Sequence, residues 1–168
     1  MNRWDTFFKD IVDRVAKQSL CLNKQFGAVL VVDKRIIATG YNGPPEGIPA
    51  CAQRLETDPA YAALFNEKGA AWNFTTCPRY AIGMGHGEGR EMCPAAHAEA
   101  NAIVNAAREG ISCKGATMYV NKYIPCKNCL SLIMNSGVKE IVVETWQTHN
   151  EIVPWMLLFS KLKIRNYR

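Results

Sequence analysis

No stretch of this 168-residue chain is apolar for long enough to cross a bilayer: runs such as residues 155–159 stop far short of the roughly 20 residues a spanning helix needs. Internal repeats and low-complexity tracts are also missing, and fibrous and disordered classes drop out on composition. The opening MNRWDTFFKD carries an acidic residue early and no uninterrupted apolar core ahead of a small-residue cleavage site. It does not read as a secretory signal, so a cytoplasmic setting with no membrane partner is expected. Nor does charge of one sign concentrate anywhere. The net charge is +5, and the basic C-terminal strip KLKIRNYR alternates Lys161, Lys163 and Arg165 with apolar residues, as the solvated face of an edge strand would. A nucleic-acid partner would call for a denser basic footprint, so none is expected.

What remains is an ordinary globular composition, 48% hydrophobic and 21% charged, at a length that fits one domain with a real core. Seven cysteines are an odd number, which strains a fully disulfide-bonded reading. In a reducing compartment metal or catalytic roles are the better prior, with zinc the first suspect.

Hydrophobic periodicity predicts an amphipathic helix over residues 4–19, with Trp4, Phe7, Phe8, Ile11, Val12 and Val15 on its apolar side. Two β-rich runs around Asp33-Lys34 form a hairpin pattern that ends in the turn chemistry of YNGPP. Residues 44–94 read as an irregular insert rich in Pro, Gly and Cys, relieved by a helix at 59–68 between Asp58 and Gly69. So long an irregular segment needs a staple or a function. Beyond it helices and strands alternate: a helix from about Pro94 to Gly110, a strand in GATMYVN, a helix in CKNCLSLIMNSG, a strand in KEIVVETW, a short helix carrying Pro154 in its first turn, and a last strand in LKIRNY. That order implies β-α-β units and an α/β fold, a mixed sheet covered by helices.

The chemistry gathers at two helix starts. CPAAHAEANAI puts His97 and Glu99 in a run of small and apolar side chains, and buried Glu is rare unless paired, ligated or catalytic. IPCKNC puts Cys126 and Cys129 at i and i+3, on one helix face, where the helix dipole favours thiolate. If both helices follow strands of one sheet, their N-termini share an edge and His97, Cys126 and Cys129 can meet. Three protein ligands leave zinc a fourth position for water, whose pKa it lowers toward neutrality. Glu99 is placed beside it to move the proton. Taken singly, each half has a bland reading: a satisfied core histidine, a redox pair, half of a structural zinc site. Jointly, H-A-E followed by P-C-x-x-C matches a known signature of zinc-dependent nucleobase deaminases.

On those motifs, and on CLNKQFGAVLVVDKRIIATGYNGPPEGIPAC ahead of them, the chain resembles the cytidine and deoxycytidylate deaminases, the deoxycytidylate (dCMP) branch most closely. The resemblance implies a three-layer α-β-α fold around a mixed five-stranded sheet, and a catalytic zinc on His97, Cys126 and Cys129. It implies Glu99 as general acid/base and hydrolysis of dCMP to dUMP and ammonia, supplying dUMP for thymidylate synthesis. It further implies a homo-oligomer, usually a hexamer, with dCTP and dTTP as effectors. Several members of the branch hold a second, structural zinc. Here Cys21, Cys51, Cys77 and Cys93 could close it, with His86 as a rival ligand and Cys113 left over. The GYNG turn suggests Asn42 as a nucleotide contact, with Gly43 letting the backbone approach, and Tyr123 is placed to stack on the pyrimidine. Many members carry Thr shortly before Pro-Cys, whereas NKYIPC is one residue longer, which weighs on Tyr123. A 5′-phosphate needs Lys or Arg, and Lys24, Arg35 and Arg90 stand as unranked candidates. Two rivals remain open: a deaminase of another cytosine or adenine substrate, and a zinc-organised binding module in which Glu99 is a mere helix-start charge.

Overall fold

A computed structural model describes residues 2–70, 75–85 and 87–168. The chain opens with helix α1 (Arg3–Ala16), capped by Asn2, whose side chain accepts the N–H groups of Trp4 and Asp5. Strands β1 (Gly27–Val32) and β2 (Arg35–Tyr41) follow as the expected hairpin. Its turn residues Asp33 and Lys34 both have positive φ, 47° and 63°, the pattern of a two-residue turn that matches strand twist.

The insert is less irregular than its composition suggests. Besides α3 (Pro59–Glu67), capped by Asp58 as expected, it contains α2 (Arg54–Thr57), α4 (Pro78–Ala81) and two short 3₁₀ turns at Cys51–Gln53 and Arg90–Met92. Such elements are too short to show a period. The insert also has an apolar cluster of its own, centred on Tyr61, Phe65 and Ile82.

After it come α5 (Ala98–Arg108), β3 (Thr117–Val120), α6 (Lys127–Asn135), β4 (Glu140–Val143), α7 (Ile152–Leu158) and β5 (Lys163–Asn166). The α5 helix begins four residues later than Pro94. The backbone of Ala96 is instead bridged to Gly43 by two reciprocal hydrogen bonds of 3.1 and 2.8 Å, and His97 after it is extended.

The sheet has the order β2-β1-β3-β4-β5, with β1 antiparallel to both neighbours and β3, β4 and β5 parallel. The result is a mixed five-stranded sheet between two helical layers. On one face α1 packs Phe8 and Val12 against Val29, Val31, Tyr119 and Val142. On the other, Ala98, Ala102 and Ala106 of α5, with Leu130 and Ile133 of α6, cover Ala28, Leu30, Met118 and Ile141. Of the helix positions expected to be apolar, Phe7 is not in the core; it is 48% exposed. The small residues along α5 have a geometric purpose. A Cβ built at Gly40 of β2 would stand 2.3 Å from the backbone of Ala98 and Ala102, so only glycine lets the helix lie this close to the sheet.

One expectation fails at the C-terminal strand. β5 is an edge strand, but Arg165 is not on a solvated face: its side chain is 20% exposed and is bonded to Asp5 and Glu140. The start of α1 covers this end of the sheet and brings a buried carboxylate to it.

Candidate metal centre

Helices α5 and α6 lie on the same face of the sheet, and their first turns converge. His97 is the N-cap residue of α5 (φ −79°, ψ 154°) and Cys126 that of α6 (φ −64°, ψ 164°), with Cys129 in the first turn that follows. Both caps have the extended backbone usual at a helix start, yet neither side chain bonds the first N–H groups of its own helix. His97 Nδ1 lies 3.4 Å from Cys126 Sγ and 3.4 Å from Cys129 Sγ, and the three ligand atoms all fall within 4.8 Å of one another. Tetrahedral zinc with ordinary Zn–N and Zn–S lengths sets such atoms about 3.5 Å apart, so the donor set fits zinc in both chemistry and spacing. Among the described residues this is the one grouping of three such ligands.

The electrostatics follow from crowding at two helix starts. The Cys126 thiol is pushed down to about 3, first by the hydrogen bond from Cys129 and also by His97 beside it. The same contact, with burial, drives the Cys129 thiol up. His97 is raised, first by its contact with Cys126, which outweighs burial. Burial pushes the Glu99 carboxyl up, against the opposing pull of its own backbone N–H and of His97. Glu99 follows Ala98 into the first turn of α5 and lines the same cleft as His97 and Cys126.

That cleft has a volume of about 250 Å³. Tyr123 forms part of its wall, with the Lys24 ammonium 5.4 Å from its ring centre and the His149 ring packed edge-on at 5.2 Å. Asn42 also lines the cleft, but its amide is engaged by backbone: Oδ1 accepts Phe26 N–H at 2.7 Å and Nδ2 donates to Lys24 O at 2.9 Å. It thereby shapes the 24–26 loop. Gly43 is not part of the cleft wall, and a Cβ built there would meet only the Tyr41 ring at ordinary distance. Its backbone serves instead to hold Ala96, next to His97.

Of the three phosphate candidates, Lys24 and Arg90 line the cleft, whereas Arg35 opens β2, in register with Val32 beside the hairpin turn. The sequence pattern missed Arg79, His149 and Asn150, which also line it. Each sits in a segment with no motif, and only the tertiary fold brings it to the site.

The four cysteines assigned to a second site come from four separate segments. Cys51 sits on the first 3₁₀ turn, Cys77 precedes α4, Cys93 ends the second 3₁₀ turn, and Cys21 lies between α1 and β1. They are electrostatic neighbours: the Cys51 thiol is pushed up to about 11 by burial and then by Cys93, Cys77 and Cys21 in turn. They do not reach the close spacing of the His97 group. His86, the rival ligand, lies outside the described residues. Cys113 is buried in the main core, with no part in either group.

The family described as the cytidine and deoxycytidylate deaminase zinc-binding region matches residues 2–145. Deoxycytidylate deaminase of Mycobacterium phage D29 is 35% identical over 144 residues, covering 83% of this chain and 92% of that protein. Deoxycytidylate deaminase of Schizosaccharomyces pombe is 32% identical over 164 residues, covering 98% of this chain but 44% of that longer protein. In fold the chain resembles the dCMP deaminase of cyanophage S-TIM5, solved in complex with dCMP and dUMP, with a TM-score of 0.67 over 99% of this chain and 98% of that one at 18% identity. A sequence match running through both helix starts, on a fold that brings them together, means that this chain belongs to the cytidine and deoxycytidylate deaminase family.

Proposed function

We propose that the protein is a zinc-dependent deaminase that hydrolyses dCMP to dUMP and ammonia. The observation that carries this reading is the convergence of His97, Cys126 and Cys129 beside Glu99 in one cleft. His97 Nδ1 and the two thiolates would hold zinc, which when bound supplies the Lewis acidity that makes water a nucleophile near neutral pH. Glu99 handles the protons. Its carboxylate takes one from the attacking water and gives it to N3 of the pyrimidine as oxygen adds at C4. It then carries the second to the amino group, so that the C4–N bond breaks and ammonia leaves. Burial suits the task, because it keeps the carboxyl close in affinity to the groups it exchanges protons with. Tyr123 would flank the base, and Asn42 would keep the 24–26 loop in place around it.

Selection of the nucleotide falls to Lys24, Arg79 and Arg90, three cations around a cleft whose floor holds the metal ligands. Arg79 donates through Nη1 to Glu88 O at 2.6 Å, while its Nε is buried with no hydrogen-bond partner among the described residues. A buried donor left over in this way suits an anionic ligand such as a 5′-phosphate. The test is ammonia release, with loss of the cytosine ultraviolet band, on dCMP, cytidine, dCTP and a short single-stranded DNA. Rapid turnover of dCMP is expected, with cytidine poorer by at least tenfold in kcat/KM. Arg90→Ala should raise KM for dCMP and leave that for cytidine unchanged. Equal rates on cytidine and dCMP would discard the nucleotide assignment, and activity confined to the DNA would move the enzyme to another branch.

A second, structural zinc on Cys21, Cys51, Cys77 and Cys93 agrees with the mutual effect of these thiols: Cys51 is pushed up by burial first and then by its three neighbours, and a dication would offset the repulsion among them. It would also staple the insert to the loop after α1. Metal analysis of the purified protein should find two zinc ions per chain, falling to one in Cys51→Ser. A single zinc in the wild type would remove this site and leave the catalytic one standing. The family resemblance also supports an assembly of several chains and regulation by dCTP and dTTP in a cytoplasmic setting, in keeping with an enzyme that feeds thymidylate synthesis.

A further inference from the structure

The segment that delivers Cys126 to the metal centre, residues 121–126, has no helix or strand of its own. It is strapped to the loop between β4 and α7. Lys122 O accepts the N–H groups of Glu144 and Thr145, both at 3.0 Å, and Ile124 N–H donates to Gln147 O at 3.0 Å. The fourth bond differs in kind: Lys127 N–H, the first of α6, donates to the side-chain Oδ1 of Asn150 at 3.0 Å. The first N–H groups of a helix have no partner within it, and an N-cap side chain usually meets those of the second or third helical residue. Here the N-cap residue is Cys126, and its sulfur is turned toward His97. Asn150 is itself held at both ends, its N–H by Thr148 Oγ1 at 3.2 Å and its carbonyl by Val153 N–H at 3.1 Å, where α7 begins.

We propose that Asn150 is a positioning residue which caps α6 from across the cleft and so fixes Cys126 and Cys129 at their spacing from His97. The inference rests on the reading of those three residues as the metal site. The cap residue of α6 makes no cap bond of its own, and the loop before α7 meets the first N–H of the helix while Cys126 Sγ lies against His97. Partners that orient metal ligands from the next layer out commonly change metal affinity 10–100-fold when removed. Asn150→Ala should therefore weaken the tight zinc by about tenfold or more, measured by competition with a chromophoric chelator. Its kcat should return toward the wild-type value when zinc is supplied in excess. Asn150→Asp keeps an oxygen acceptor at the helix start and should hold zinc as the wild type does. Cys126→Ser, run alongside, identifies the ion being followed. Unchanged zinc affinity in Asn150→Ala, beside a clear loss in Cys126→Ser, would overturn the proposal alone, as would a raised KM for dCMP as its only effect. Asn150→Asp failing as badly as Asn150→Ala would also overturn it. No loss in Cys126→Ser would strike the metal-site reading itself.

Discussion

Glu99→Gln should lower kcat for dCMP by about a thousandfold or more while the protein keeps its zinc and its thermal stability, since positioned proton transfer is commonly worth 10²–10⁴-fold and this reaction asks it of one group twice. The amide has the size of the carboxyl and none of its basicity, so it can neither take the proton from water nor return it to the leaving amine. Glu99 is not one of the three grouped ligands, and zinc content should therefore match the wild type. Removing a carboxyl that burial already penalises should not cost stability. Steady-state kinetics, metal analysis and a thermal melt on one preparation separate these effects. Turnover persisting within tenfold, with zinc in place, would remove Glu99 from the mechanism whatever the substrate. Loss of zinc together with activity would instead make Glu99 a structural partner of the site.

The legibility of this residue from sequence has a physical basis. H-A-E and P-C-x-x-C each lie within a single helix start, and local spacing dictates which side chains share a face there. The meeting of the two starts follows from the alternation of strands and helices: β2 and β3, which precede α5 and α6, are both antiparallel to β1 and so run in the same direction. Features set by other segments were not legible. Pro94, Ala95 and Ala96 suit a helix locally, but the bridge between Ala96 and Gly43 ties up the backbone just ahead of His97, and α5 starts only at Ala98. In the insert, α2 and α4 have four residues each, barely one helical turn apiece and too little to show a repeat. Arg79, His149 and Asn150 reach the cleft from the insert and from the β4–α7 loop, so nothing near them in the chain marks them. Arg165 was misread for the same reason, since its partner lies 160 positions away.

That partner gives the largest expected effect on stability. Asp5 is 1% exposed, in the first turn of α1, and accepts hydrogen bonds from Arg165 Nη1 and Nη2 at 2.7 and 3.1 Å, from Arg168 N–H at 2.8 Å and from Tyr119 Oη at 3.3 Å. One carboxylate thus joins the first helix to β3, to β5 and to the residue two beyond the end of β5. In Asp5→Ala the Arg165 guanidinium keeps Glu140 and the Asn166 carbonyl but loses the buried carboxylate, and the Tyr119 hydroxyl and the Arg168 N–H lose their acceptor. Breaking a buried pair from one side typically costs 3–5 kcal/mol, so the variant should lose about 3 kcal/mol and melt about 10 °C lower. The pH dependence follows from the sign of the shift. Burial alone would raise the Asp5 carboxyl, but the bonds from Arg165, Arg168 and Tyr119 outweigh it and hold it below the usual 3.8. A depressed carboxylate contributes stability that is fully present above its unfolded pKa and is lost as pH falls through its folded one. The gap between wild type and Asp5→Asn, which cannot titrate, should therefore be constant from pH 7 down to about 5 and narrow below pH 4. Both proteins shed metal alike in acid, so the difference between their urea unfolding curves isolates Asp5. A gap under 1 kcal/mol at pH 7, or one that does not change in acid, would mean that the clamp is geometric only and that α1 is held by Phe8 and Val12.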